Sequence, residues 1–176
     1  MGGKTEGSED GFLRRWLLAV LLGLGGVIWL TGRSLPDVVA SHFSAGGGAD
    51  GWMPRGAYLA LMFALTVGLP AIVAYMPLLR ANGSARGLNI PNRDYWLDPA
   101  RRHETIRLLN GFMARFALCL ALLLTYAHTL AVRANALVPP HFPEHEMIGA
   151  LVLFVLAVLF LSWRLLRRFR QLPERR

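Results

Sequence analysis

Cysteine is all but missing: Cys119 is the only one in 176 residues. That excludes a disulfide scaffold and any multi-cysteine zinc or iron–sulfur site. Charge is scarce as well. Asp, Glu, Lys and Arg make up 17% of the chain, against about 25% in an ordinary soluble domain. Acidic residues are the scarcer sign, 11 against 19 basic ones, and the formal net charge is +8. No phosphate-cradling glycine loop, zinc-protease helix motif or serine nucleophile elbow occurs, so no enzyme activity and no cofactor are expected. Internal repeats are not evident, and the segment lengths do not suggest the inverted halves of a transporter.

What the sequence has in excess is apolar residues, 54% of the total. They concentrate in four runs, residues 16–31, 56–79, 116–132 and 147–163. A helix needs roughly 17–25 residues to cross the hydrocarbon. Three runs meet that length and the first is marginal. Backbone groups cannot go unpaired in lipid, so the runs must be helices. The expected fold class is all-α, a four-transmembrane-helix bundle spanning residues 16–163. The polar, glycine-rich residues 1–15 read as a disordered cytoplasmic tail, and residues 164–176 as a basic cytoplasmic tail. Arg14-Arg15 before the first run also resembles a signal peptide. Thr31-Gly32-Arg33-Ser34 is a poor cleavage site, so a retained anchor is expected.

The position of the basic residues orients the bundle. Fifteen of the 19 fall in the N-terminal tail, the loop after the second run and the C-terminal tail. Only Arg33, Arg55 and Arg133 fall in the other two loops, and Arg115 lies at the start of the third run. The positive-inside rule places both termini in the cytoplasm, N-in and C-in. The bilayer and its anionic headgroups, not nucleic acid, are the partners this charge implies. Arg115 is expected to snorkel to the cytoplasmic interface.

In the first outer loop, Pro36 and Asp37 suit a helix start, and Val38, Val39 and Phe43 form a short apolar stripe. A short interfacial helix stopped by Gly46 is expected there. Asp50-Gly51 then turns the chain, and Trp52 anchors the next span at the interface. His42 reads either as a loop hydrogen-bonding group or as a contact for a ligand, a proton or a metal.

The run Leu35-Pro36, Ser41-His42-Phe43-Ser44-Ala45-Gly46 and Ala49-Asp50-Gly51-Trp52-Met53-Pro54-Arg55 resembles a bacterial integral-membrane family. Its domain has no assigned function and also forms the N-terminal part of sporulation-delay-toxin immunity proteins. A second stretch, residues 89–102, resembles the cytoplasmic loop of many short members. The resemblance singles out His42, Phe43, Asp50, Gly51, Trp52 and Arg55 as ligand-contact candidates. In the cytoplasmic loop it singles out Asn89, Pro91, Asn92, Asp94, Tyr95, Trp96, Pro99, Arg101 and Arg102. The immunity proteins continue with further spans and a second domain, so the resemblance speaks to membership and not to activity.

The cytoplasmic loop also reads from its own residues. Tyr95 and Trp96 suit the membrane interface. Asp98 is placed to cap a juxtamembrane helix with Pro99 at its first position, running through Arg107 into the third span. That loop rests on lipid or docks a cytosolic protein. Four of the five histidines, His42, His128, His141 and His145, fall on or near the outer side. No metal site is expected: His141 and His145 have helical spacing, but Pro143 between them interrupts a helix. No ionisable pair is expected deep in the membrane. Pro70 and Pro77 are expected to bend the second span. Ala19, Gly23, Gly26, Ala117 and Ala121 offer close helix approach, within the chain or in a homo-oligomer. The function expected is an interaction, sensing or immunity-type module that meets an envelope ligand around His42. The alternative is a small transporter or an accessory subunit of a membrane complex, and third comes a membrane enzyme acting on lipid or envelope precursors.

Overall fold

A computed structural model describes residues 3–75 and 89–171, and the side chains from residue 15 onward. Helix α1 (Gly3–Gly32) leads into strands β1 (Val38–Phe43) and β2 (Ala49–Pro54). Helix α2 (Arg55–Phe63), a π-helical segment (Ala64–Gly68) and α3 (Leu69–Tyr75) form one rod. The short α4 (Arg93–Trp96) precedes the long α5 (Arg102–Asn135) and α6 (Glu144–Arg170). Four helices are long and apolar enough to cross a membrane: Arg15–Gly32, Arg55–Tyr75, Arg102–Asn135 and Glu144–Arg170. The chain is a multi-pass, mostly helical membrane protein with a small two-stranded sheet. The α1–β1 and α5–α6 connections lie at one end, which we call the hairpin end. Both ends of the described chain lie at the other.

Three expectations change. Residues 3–15, expected to be disordered, continue α1 back to Gly3. Extending an existing helix needs no new nucleus, so order spreads outward from the apolar span. The short interfacial helix of the first loop is instead an antiparallel hairpin, β1 against β2. Val38 and Val39 are β-branched and favour an extended chain. Gly46 and Gly47 supply the positive φ angles of 99° and 82° that the turn between the strands needs. Finally, α5 starts at Arg102, not at Pro99. Asp98 Oδ1 accepts from the amide of Ala100, 2.9 Å, and so holds a turn just before the helix.

The core runs through the bundle in three clusters. Ile28, Leu35, Val39, Tyr58, Met62 and Ala131 pack at the hairpin end. Leu17, Leu21, Val67 and Ala121 fill the middle. Trp96, Leu109 and Phe169 close the far end. Ala117 and Ala121 are buried at the α5 interface, as their size suggests. On α1 the glycines that allow close approach are Gly25 and Gly32. A Cβ on Gly25 would stand 2.6 Å from the ring of Phe63, and one on Gly32 would strike Leu59. Gly23 and Gly26 face open space.

Pro70 explains the π-helical segment before it. Proline lacks an N–H and crowds the carbonyl four residues back, here that of Thr66. A widened turn over Ala64–Gly68 relieves that crowding. The Thr66 hydroxyl is buried there without a hydrogen-bond partner among the described residues. Pro77 and the end of the second span, residues 76–79, lie outside the described residues.

Candidate functional site

The hairpin is built from an irregular register. Ala40 pairs with Trp52, His42 with Gly51 and Phe43 with Ala49, so Ser41 and Asp50 have no residue opposite. Such bulges re-aim neighbouring side chains. Here they bring His42 and Asp50 together. The Nδ1–H of His42 donates to Asp50 Oδ1 at 2.5 Å, because an ionised carboxylate can only accept. Both groups face outward, with side chains 75% and 45% exposed. Among the described residues Nε2 of His42 has no partner, so the ring offers one polar atom to the outside. Gly51 has to be glycine: a Cβ there would stand 2.9 Å from that of His42. Trp52 is 56% exposed, and Phe43 packs on Phe142 with ring centroids 5.1 Å apart.

The rest of the motif anchors this pair. Arg55 donates from Nη1 to the carbonyl of Leu35, 2.9 Å, and its Nη2 pairs with Asp37, 3.0 Å. Asp37 therefore fixes the entry to β1 instead of serving a helix start. Two side chains, Asn135 and Glu144, hold the hairpin to the helices, and a third group ties α5 to α6 beside it. Asn135, on the last turn of α5, accepts from the Ala40 amide at 2.8 Å and donates to the Ala40 carbonyl at 2.9 Å. It acts as a third strand at the free edge of β1. Glu144 accepts from the amides of Gly46 and Gly47 at 2.7 and 3.0 Å. Arg133 grips Glu146 through two contacts, 2.8 and 3.0 Å, and Tyr126 donates to the same carboxylate, 3.1 Å. His141 forms a bridge with Gly48, and it shares a hollow with His145.

Asn135→Ala would leave the buried Ala40 amide and carbonyl without partners, at about 1–3 kcal/mol. The Ala40 amide should then exchange its hydrogen about ten- to a hundredfold faster, read residue by residue in detergent micelles. Unchanged exchange would show that the amide bonds do not dock the hairpin.

Beneath the hairpin lies a cleft of about 530 Å³. His42 and Phe43 roof it, Ala127 and Ala131 of α5 floor it, and Met62 and Leu151 wall it. Behind it runs a buried polar chain. Thr31 Oγ1 donates to the carbonyl of Val27, 2.7 Å, so it accepts from Nε2 of His128, 2.9 Å. The bare Nδ1 of His128 then accepts from the Tyr58 hydroxyl, 3.1 Å. Tyr58 and His128 are 4% and 0% exposed. This titratable pair lies near the hairpin end of the spans, within one turn of the start of α2. The signal was available: His128 interrupts the apolar run 116–132, and an imidazole at that depth needs a partner.

The second candidate cluster locks the other end. Trp96 is buried and its Nε1 donates to the carbonyl of Phe169, 2.9 Å. Asn92, in the left-handed region at φ 53°, donates to the carbonyls of Phe169 and Arg170, 3.0 and 3.3 Å. Arg101 stacks over Tyr95 at 4.0 Å, and Pro91 and Arg102 are half-buried. Asn89, Asp94 and Pro99 are exposed. Trp96 is therefore a buried cap on α6 and not the interfacial ring that its flanks suggest.

Among the described residues no three His, Cys, Asp or Glu side chains stand close enough to hold a metal ion. Comparison with curated proteins and with solved structures returned no match. The stretch Asn89–Arg102 lies outside the family match. Residues 16–68, which hold α1 from Trp16 onward, the whole hairpin with His42 and Asp50, and the start of the second span, match the family model described as Domain of unknown function (DUF1648).

Proposed function

We propose that this chain is a non-enzymatic interaction, sensing or immunity-type module of the bacterial inner membrane. Its termini lie in the cytoplasm and its hairpin meets an envelope ligand or partner on the outer face. The arginine asymmetry supports that orientation. One observation carries the functional reading. Most polar groups of the motif are consumed in fixing the hairpin, whereas His42 and Asp50 project from it with their side chains 75% and 45% exposed. Exposed chemistry on a rigid mount suits recognition better than packing. Trp52 beside it adds an exposed ring of the kind that dominates binding surfaces.

The test is a photoreactive residue in place of Trp52, irradiated in intact membranes. It should give an adduct that His42→Ala reduces at least about tenfold, as loss of a dominant contact does. His42 is exposed, so its removal leaves the fold intact. The same probe at Leu156, on the lipid-facing part of α6, should give no such adduct. Equal labelling at both positions, or labelling indifferent to His42, would overturn the reading.

A further inference from the structure

Four arginines surround one hollow at the end opposite the hairpin. Arg115 comes from α5, and Arg164, Arg167 and Arg168 come from the last turns of α6. The hollow has a volume of about 490 Å³ and no acidic side chain lines it. Arg168 is paired with Glu104 at 3.0 Å, just outside. Arg115 uses Nη1 on the carbonyl of Gly111, 2.8 Å. Arg164 and Arg167 lie over the rings of Phe160 and Trp163, 5.8 and 5.4 Å away. A guanidinium over a ring keeps its donors at the edge, free to point elsewhere. Among the described residues no carboxylate pairs with Arg115, Arg164 or Arg167. Like charges held this close repel unless an anion joins them.

The depth of the hollow narrows the choice of anion. It sits where the apolar run of α6 ends at Trp163 and the arginines begin, the level at which aromatic rings mark an interface. Apolar side chains, among them Leu108, Phe112 and Leu161, share the lining with the guanidinium groups. We propose that this groove between α5 and α6 binds one anionic phospholipid, its phosphate held by Arg115, Arg164 and Arg167 and its acyl chain laid along Phe160 and Leu161 toward the apolar run of α6. Paired guanidinium donors match a phosphate in shape and charge. Basic pockets between spans bind anionic headgroups for this reason. The site is independent of the hairpin and of its ligand.

The probe is phosphatidylglycerol, added to the purified, delipidated chain in neutral detergent and counted by native mass spectrometry, with phosphatidylcholine as the neutral comparison. One phosphatidylglycerol should bind per chain in preference to phosphatidylcholine. The double change Arg164→Gln with Arg167→Gln should weaken it about thirtyfold, at roughly 1 kcal/mol for each charge removed. Arg115→Gln, on the facing helix, should act in the same direction. Arg170→Gln, on the same tail but outside the hollow, should change it less than about threefold. Equal binding of the two lipids, or equal loss in Arg170→Gln and the double variant, would overturn the site. Displacement by inorganic phosphate at matched concentration would assign it to a free anion and overturn the lipid.

Discussion

Trp96→Ala is expected to destabilise the chain by about 3–5 kcal/mol, the usual cost of emptying a buried tryptophan site. Trp96 is 2% exposed. Its ring meets Phe169 edge-on at 5.3 Å, and its backbone carbonyl accepts from the Thr105 hydroxyl at 2.6 Å. One residue thus joins the short α4, the start of α5 and the end of α6. Its indole N–H also satisfies the carbonyl of Phe169, one of the last four that a helix leaves unpaired. Removing it opens a cavity and leaves that carbonyl with Asn92 as its remaining side-chain donor. Trp96→Phe separates the two, keeping most of the volume and costing about 1 kcal/mol for the hydrogen bond. Unfolding in mixed micelles, with hydrogen exchange over residues 165–170, measures both. A Trp96→Ala variant within 1 kcal/mol of the parent would mean that α6 holds its end without α4.

The two ends of the molecule were legible to different degrees, for physical reasons. Span number was readable because lipid imposes one rule on every residue of a run. The hairpin was not, because six residues with Val38, Val39 and Phe43 as their apolar positions satisfy a helical stripe and a strand alike. What decides between them is Asn135, 95 residues away from Ala40, and Glu144, which receives the turn amides. Neither has a local signature. The motif residues were singled out as a group, and the structure sorts them by what each side chain touches. Arg55 and Gly51 serve geometry, while His42 and Asp50 stay exposed. Trp96 was misplaced because an indole beside a span has two stable sites, the headgroup level and any buried carbonyl, and only the path of α6 supplies the second. The glycines show the same limit. Gly23, Gly25 and Gly26 are equally small, and helix phase against Phe63 selects Gly25.

His128→Leu is expected to cost about 1–3 kcal/mol, and the loss should be recoverable in part by a second change. Leucine fills a similar space but offers no acceptor. The Tyr58 hydroxyl, buried at 4% exposure, would then have no partner among the described residues, the penalty attached to an orphaned buried donor. Thr31 would suffer less, since its hydroxyl already donates to Val27 within α1. The asymmetry makes the prediction specific. Tyr58→Phe should restore part of the loss in the His128→Leu background, yet be destabilising in the parent, whereas Thr31→Val should show a smaller coupling to His128. Hydrogen bonds between spans measured by such cycles average about 0.6 kcal/mol and reach about 1.7. A coupling of that order between Tyr58 and His128, read from unfolding in mixed micelles, is the expected result. Additive losses would mean that the two groups do not share the bond, and the chain from Thr31 through the imidazole to Tyr58 would fail as an account of how α1, α2 and α5 are held beneath the hairpin.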